Sequence, residues 1–335
     1  MRVARYPARM QPIFAFLAAC ALCAGGVAFG QSAPVSSDPS TSDPWSAIAS
    51  GETLVADPSG KGEIAYRYRL VEPRPEAIAD PGARVPLVVF LHGSGERGSD
   101  NRAQLKHFAG ATAAREFQEK APCFVLAMQC RSGETWSAID LKGFREKGEM
   151  PRLAEKPTRA MRALMQAIDE VMATKAVDPT RIYLTGLSMG GFGAFDLAAR
   201  RPELFAAVVP ICGGGDPGTA ETVAGIPFYI VHGADDPVVP VALSRTMRDA
   251  IAAASAARAA AEIEKARGTA DAPSPMPKRK PNPMYREYDK VGHDSWTPAY
   301  RFEDGGVLTW MFAQRKAEPL PERPASQIKR PPSGR

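Results

Sequence analysis

The stretch that decides the fold reads Arg181-Ile182-Tyr183-Leu184-Thr185-Gly186-Leu187-Ser188-Met189-Gly190-Gly191. Its first half is β-branched and apolar, its second half carries the pattern Gly-x-Ser-x-Gly, and the Ala-rich segment 192–200 follows. This order predicts a strand, a tight turn and a helix. Because Gly186 and Gly190 place no Cβ where strand and helix crowd, the turn can hold Ser188 in a strained conformation. We therefore expect Ser188 to stand exposed at the carboxyl end of the strand, over the positive end of the helix.

Other apolar runs alternate with helical patterns along the chain. The alternating run 64–71 predicts a half-buried antiparallel strand at a sheet edge. Further strands are expected at 86–91, 123–128, 205–212, 226–231 and 284–291. Helical patterns cover 101–117, 157–177, 241–261 and 298–314. The sequence therefore predicts an α/β fold, with a mostly parallel central sheet, helices on both faces and a site at the carboxyl ends of the strands.

The length of 335 residues suits one α/β domain with appendages. We expect the catalytic domain to be 51–315, containing a low-complexity insertion at 252–283 that is Ala-rich and then Lys/Arg/Pro-rich. A Ser/Pro/Asp-rich linker is expected at 31–50, and a disordered Pro-rich and basic tail at 316–335. The insertion is either a lid over the site or a surface excursion.

The first 30 residues have the pattern of an export signal. Arg2, Arg5 and Arg9 precede an apolar run, and small residues before Gln31 suit signal peptidase. The alternatives are a membrane anchor, which the glycines within the run oppose, and lipidation at Cys20. We expect a periplasmic or extracellular protein with no membrane span after cleavage. Since those three arginines supply much of the net charge of +5, nothing indicates a nucleic-acid partner.

The cysteine count argues against a disulfide scaffold. Five cysteines become three, Cys123, Cys130 and Cys212, once residues 1–30 are removed. An odd number leaves at least one thiol free. Cys123 and Cys130 stand at the two ends of one expected strand, too far apart to bridge.

The histidines identify a base for Ser188. A serine hydroxyl becomes a nucleophile when an imidazole removes its proton, and a carboxylate must orient that imidazole. In doubly wound hydrolases the chain order is serine, acid, histidine. Of four histidines, only His232 and His293 follow Ser188, and His232 stands directly at a strand end, before any acid loop. His293 is therefore the predicted base, and the loop after the strand 226–231 offers Asp235 and Asp236 as the acid.

The loop after the strand 86–91 is expected to help to bind the oxyanion. One donor is the amide of Met189, and the glycine-rich loop offers the amide of Ser94 or Gly93 as the second. The same loop, 93–98, also matches the dinucleotide fingerprint Gly-x-Gly-x-x-Gly. No helix starts within it and no acid ends the next strand, so we expect no nucleotide. His-x-His and His-Glu-x-x-His are absent, and we expect neither metal nor organic cofactor.

Together these motifs resemble the secreted α/β-hydrolases known as predicted peptidases, which are similar to feruloyl and acetylxylan esterases and to poly(3-hydroxybutyrate) depolymerase-like enzymes. The resemblance covers about 62–314 and rests on the following segments: 86–98 with Asp100, Asn101, Gln104 and Leu105; Gln129 and Cys130 with Trp136; 178–183 leading into 186–191; 205–214; 232–236; and 292–296. It implies an α/β-hydrolase fold and the triad Ser188, Asp236 and His293, and it favours Asp236 over Asp235.

The same resemblance implies a serine carboxylesterase acting without cofactor. Small-molecule or polysaccharide esters, acetyl or feruloyl, are the expected substrates, and a serine peptidase or a non-catalytic binding protein of the same fold are the alternatives. Trp136, Trp296 and Gln129 are expected to line the substrate cleft, although Trp296 could instead pack the last helix.

Overall fold

The computed structural model describes residues 45, 48–57, 62–78, 80, 82–267 and 282–316. The expected signal peptide, most of the linker, part of the insertion and nearly all of the tail lie outside these residues. The strands are β1 (Ala49–Ala56), β2 (Glu63–Val71), β3 (Val85–Leu91), β4 (Phe124–Met128), β5 (Ile139–Asp140), β6 (Arg152–Leu153), β7 (Val177–Leu187), β8 (Ala207–Ile211), β9 (Tyr229–Gly233) and β10 (Met284–Tyr288). The helices are α1 (Arg115–Lys120), α2 (Lys142–Lys147), α3 (Arg159–Thr174), α4 (Met189–Arg200), α5 (Ala220–Val223), α6 (Val241–Arg267), α7 (Trp296–Ala299) and α8 (Val307–Phe312).

Eight strands form one sheet in the order β1-β2-β4-β3-β7-β8-β9-β10. In this sheet β1 and β2 are antiparallel to their neighbours, and the other six strands run parallel. β5 and β6 form a separate antiparallel pair. The order reverses between β3 and β7, and in open α/β sheets this switch point is where ligands bind. The loop after β3 and Ser188 both lie there, so the fold class predicted from sequence is confirmed and the expected site is at its carboxyl edge.

Both faces of the sheet are buried. Along β3, Leu87, Val89 and Leu91 belong to one apolar cluster, while Val88 and Phe90 belong to a second cluster on the other face. α3 covers the first face, and its N-cap Thr158 accepts a hydrogen bond of 3.0 Å from a backbone amide of the first turn. Burial of each such Leu or Val contributes about 1.5–3 kcal/mol.

Several elements differ from the sequence expectation. The edge strand is β1, which begins inside the expected linker, so β2 is an inner strand. α6 continues to Arg267, so the first half of the expected insertion is regular helix. The segment 101–117 contains short 3₁₀ turns and only the start of a helix, α1. The expected last helix is two short ones, α7 and α8. Within the described residues, no helix has both the length and the apolarity needed to cross a bilayer.

Candidate active site

Ser188 occupies a sharp turn between β7 and α4. Its backbone angles, φ 53° and ψ −117°, lie in a region that residues with a side chain rarely adopt. The turn is so tight that two of its positions have no room for a side chain. A Cβ on Gly186 would overlap the carbonyl of Gly190, and a Cβ on Gly190 would overlap the carbonyl of Leu91. The elbow expected from the sequence is therefore present, and its glycines are required by close backbone approach.

The structure brings Ser188, His293 and Asp236 together. His293 Nε2 lies 2.9 Å from Ser188 Oγ, and His293 Nδ1 lies 2.8 Å from Asp236 Oδ2. Because an ionised carboxylate can only accept, His293 Nδ1 carries the hydrogen and Nε2 is left to accept the serine proton. The three residues come from loops that follow β7, β9 and β10, so the sheet places all of them at one edge.

The side chain of Asp236 has no exposed surface. Oδ1 accepts hydrogen bonds from the amides of Val238 (2.8 Å) and Val239 (3.0 Å). Burial by itself favours the neutral acid, but hydrogen bonds from His232, His293 and those amides outweigh it, so the pKa of Asp236 lies well below its usual value. Its neighbour Asp235 is exposed and contributes a backbone hydrogen bond to the carbonyl of Val291. Asp236 is therefore the carboxylate on His293.

The loop after β3 lies against the elbow. A Cβ on Gly93 would stand 2.9 Å from Leu187 Cδ1 and 3.7 Å from the Cβ of Ser188. Ser94 begins a short 3₁₀ turn and is exposed. Met189 is the first residue of α4, and the first amides of a helix have no partner within it. Of the residues expected to bind the oxyanion, Gly93 and Met189 thus lie beside Ser188, one in the loop after β3 and the other at the start of α4.

The buried ring of His92 holds this loop in place by hydrogen bonds to two backbone groups. Burial lowers the pKa of the imidazole to about 4, so the ring is neutral. Its Nε2 accepts a hydrogen bond of 2.9 Å from the amide of Cys130, which leaves Nδ1 to donate to the carbonyl of Gly93 at 2.6 Å. This role of His92 was not predicted from the sequence, because its chain position excluded it as the base and nothing local indicated a structural one.

Of the three residues expected to line the substrate cleft, only Trp296 contacts His293. Its ring stands edge-on to His293, with centroids 5.3 Å apart, and to His107 at 5.4 Å. Trp296 also packs against the apolar cluster beneath it, as the packing alternative considered from the sequence requires. Its contact with substrate stays a prediction.

The structure contradicts the expectation that Trp136 and Gln129 line the substrate cleft. Trp136 has no exposed surface, and its indole nitrogen donates a hydrogen bond of 3.1 Å to the carbonyl of His92. Gln129 is 2% exposed and bridges the loop after β3, accepting from the amide of Asn101 at 2.7 Å and donating to the carbonyl of Glu96 at 3.1 Å. Both side chains brace the loop from inside the protein and do not face a substrate.

Cys212 contacts the backbone of Ser188. The amide of Ser188 donates to its Sγ at 3.3 Å and to the carbonyl of Ile211 at 2.9 Å. Burial raises the pKa of the Cys212 thiol to about 12. All three described cysteines are free and buried, so Cys123 and Cys130 are not bridged, as expected.

Ligand atoms of Cys212, Asp236 and His293 lie within 4.8 Å of one another. Sulfur, nitrogen and oxygen donors of this kind suit zinc. The oxygens of Asp236, however, already accept from two amides and two histidines, and the thiol is held in its protonated form. The arrangement therefore fits a proton-transfer triad better than a metal centre.

Comparison with known proteins gives a consistent result. Residues 74–271 match the family model described as Phospholipase/Carboxylesterase. In sequence, 175 residues are 29% identical to "Putative esterase NocK" of Nocardia uniformis subsp. tsuyamanensis, covering 52% of this chain and 46% of that protein. A further match of 31% over 132 residues is to "Poly(3-hydroxyalkanoate) depolymerase C" of Paucimonas lemoignei, covering 39% of this chain and 28% of that protein.

A solved structure described as a thermostable esterase superposes with a TM-score of 0.61 at 33% sequence identity. This similarity covers 80% of the present chain and 63% of the esterase chain. The segments matched in the two sequence relatives span less than half of each of those proteins.

Proposed function

Because the chain belongs to the Phospholipase/Carboxylesterase family and is a serine hydrolase with the α/β-hydrolase fold, we propose that Ser188, His293 and Asp236 form its catalytic triad. The observation that carries the proposal is a pair of consecutive hydrogen bonds. One joins Ser188 Oγ to His293 Nε2 (2.9 Å), and the other joins His293 Nδ1 to Asp236 Oδ2 (2.8 Å). These are the distances needed for a general base oriented by a carboxylate.

In the first half of the reaction, His293 Nε2 takes the proton of Ser188 while Oγ attacks the ester carbonyl carbon. The carbonyl oxygen becomes an oxyanion, which the amide of Met189 and the amide of Ser94 or Gly93 bind. The carbon–oxygen bond to the alcohol then breaks, and His293 gives its proton to the departing alcohol. The product is an ester between the acyl group and Ser188.

In the second half, His293 removes a proton from water, and the resulting hydroxide attacks the acyl-enzyme carbonyl. Ser188 leaves as the alkoxide and recovers its proton from His293. Asp236 remains ionised throughout, because its low pKa lets it stabilise the imidazolium without accepting the proton.

The proposed substrates are acetyl or feruloyl esters of polysaccharides or other small acyl esters. The support is the resemblance to esterases of that kind and an amino-terminal sequence with the pattern of an export signal, from which we also propose a periplasmic or extracellular location. The family relative named as a poly(3-hydroxyalkanoate) depolymerase adds polyesters to the classes that need testing.

The test is hydrolysis of a panel: acetyl, feruloyl and long-chain esters, a poly(3-hydroxyalkanoate) film and a peptide amide. We expect cleavage of acetyl or feruloyl esters by the parent, loss of that cleavage in Ser188→Ala, and retention in the control Ser99→Ala, which alters a serine outside the triad. Cleavage of long acyl chains alone would contradict the substrate class. Amide cleavage at rates similar to ester cleavage would indicate a peptidase.

A further inference from the structure

A second histidine contacts the acid of the triad. His232 has no exposed surface and lies near the end of β9, four residues before Asp236. Its Nε2 is 3.2 Å from Asp236 Oδ2 and 3.0 Å from the carbonyl of Val239. Both partners can only accept, so Nε2 carries a hydrogen and donates to them. Asp236 Oδ2 is therefore shared between two imidazole rings, those of His232 and His293.

The other side of the His232 ring is also occupied. Nδ1 lies 2.7 Å from the hydroxyl of Ser244, a buried residue of α6, and that hydroxyl donates to the carbonyl of Gly213 at 2.9 Å. Since Ser244 has one hydrogen and gives it to Gly213, its oxygen must accept from Nδ1. Every contact is satisfied only when His232 carries a hydrogen on both nitrogens, as an imidazolium beside the carboxylate.

Building on the proposed triad, we infer that His232 is a positioning residue that holds Asp236 from behind and sets the pH range in which His293 acts as a base. The Nε2–H of His232 and the amides of Val238 and Val239 fix the carboxylate so that Oδ2 faces His293. The positive charge on His232 also opposes a second positive charge on His293. We therefore expect the rate of labelling of Ser188 to fall at a lower pH in the parent than in a variant without that charge.

The other charged groups around this network are neutralised or exposed. Glu287 of β10 stands opposite His232 in the strand register, and Arg245 of α6 forms an ion pair with it. On the loop after β3, Glu96 pairs with His107, whose ring contacts Trp296. Asp235 and Asp294 lie at the surface, and Cys212 is held as a thiol. Removal of the charge on His232 is therefore expected to act mainly on Asp236 and His293.

The experiment measures the second-order rate of labelling by a fluorophosphonate between pH 4 and 9, for the full chain and its variants. His232→Gln keeps an N–H near Asp236 but removes the charge. Ser244→Ala keeps the ring but removes the acceptor of Nδ1–H. Ser255→Ala is the matched control, since it also removes a hydroxyl of α6 that donates to a backbone carbonyl, here that of Ala224.

The acid limb is the part of the pH–rate profile in which the labelling rate falls as the pH is lowered. We expect its midpoint to move up by about one pH unit in His232→Gln and in the same direction in Ser244→Ala. The limb should stay in place in Ser255→Ala. With a chromogenic acetyl ester, the kcat of His232→Gln should fall about tenfold with KM nearly unchanged, because the substrate does not touch His232. A purely structural role would lower the folded fraction without moving the limb.

An acid limb that stays within about 0.2 units of the parent in folded His232→Gln would overturn the inference, since a lost neighbouring charge must move it. If that variant does not fold, the same result in Ser244→Ala overturns it. Absence of labelling in the parent would instead refute the proposed triad itself. The two failures are therefore distinguishable.

Discussion

Replacement of Asp236 by asparagine is the sharpest perturbation of the triad, because the surroundings dictate how the new amide must lie. Oδ1 accepts from the amides of Val238 and Val239, so that position must remain an oxygen. The NH₂ group of the substituted side chain is therefore forced into the place of Oδ2, where it points at His232 and His293. His293 Nδ1 must then accept a hydrogen bond, and the ring hydrogen moves to Nε2.

That tautomer blocks the reaction, since a protonated Nε2 cannot take the proton of Ser188. The corresponding change in another serine hydrolase lowers kcat about 10⁴-fold, which is about 5 kcal/mol of barrier. We expect a loss of the same size in Asp236→Asn, with KM within about threefold of the parent because the substrate does not touch this side chain. The assay is steady-state hydrolysis of a chromogenic acetyl ester at neutral pH, with circular dichroism to verify folding.

Asp235→Asn is the matched control. Asp235 is adjacent in sequence and its described hydrogen bond uses the backbone amide, so kcat should change less than about twofold. Retention of more than about a tenth of the parent kcat by a folded Asp236→Asn would refute the reasoning, because the tautomer argument predicts a loss about a thousand times larger.

Four further outcomes are expected. Gly190→Ala should fail to label with a fluorophosphonate and lose about 3 kcal/mol or more of stability in urea denaturation, because the added methyl overlaps the carbonyl of Leu91; full labelling at parental stability would contradict the close contact. Burial raises the pKa of the thiols of Cys123, Cys130 and Cys212 to about 12, so iodoacetamide at neutral pH should modify none of them until guanidinium unfolds the protein. Because folding lowers the pKa of Asp236, its contribution to stability is complete above about pH 4 and is lost as the pH falls further; the free energy of unfolding of Asp236→Asn should therefore depend less on pH below about 4 than that of the parent. Mass spectrometry of the exported chain should give Gln31 as its first residue, whereas a lipidated Cys20 or a retained signal would contradict the proposed cleavage.

The central part of the fold was predictable because its signals are local. Buried parallel strands are continuous apolar runs, and the elbow requires glycines at fixed positions around Ser188. The edge strand β1 is not predictable from the sequence, because Ala49–Ala56 does not alternate apolar and polar residues and its structure depends on backbone pairing with β2. The single helix expected at the end of the chain was interrupted at Gly305, which adopts φ +69° between α7 and α8.

The residues around the triad were less predictable, because their roles depend on contacts between distant segments. The sequence predicts that the side chains of Trp136 and Gln129 line the substrate cleft. In the structure both are buried and donate hydrogen bonds to backbone carbonyls of the loop after β3. In the sequence, the position of His232 at a strand end argues against its being the base. Its spacing of four residues from Asp236 was the one local signal that it contacts the acid instead, and that contact requires the loop after β9 to fold back on itself.

Mapping of a fluorophosphonate adduct tests the proposed triad most directly, since it reports activation of one hydroxyl without knowledge of the natural substrate. We predict a single adduct on the peptide that contains Ser188, abolished in Ser188→Ala and slowed at least about a thousandfold in His293→Gln. An adduct on any other residue, or labelling of His293→Gln at the parental rate, would contradict the account.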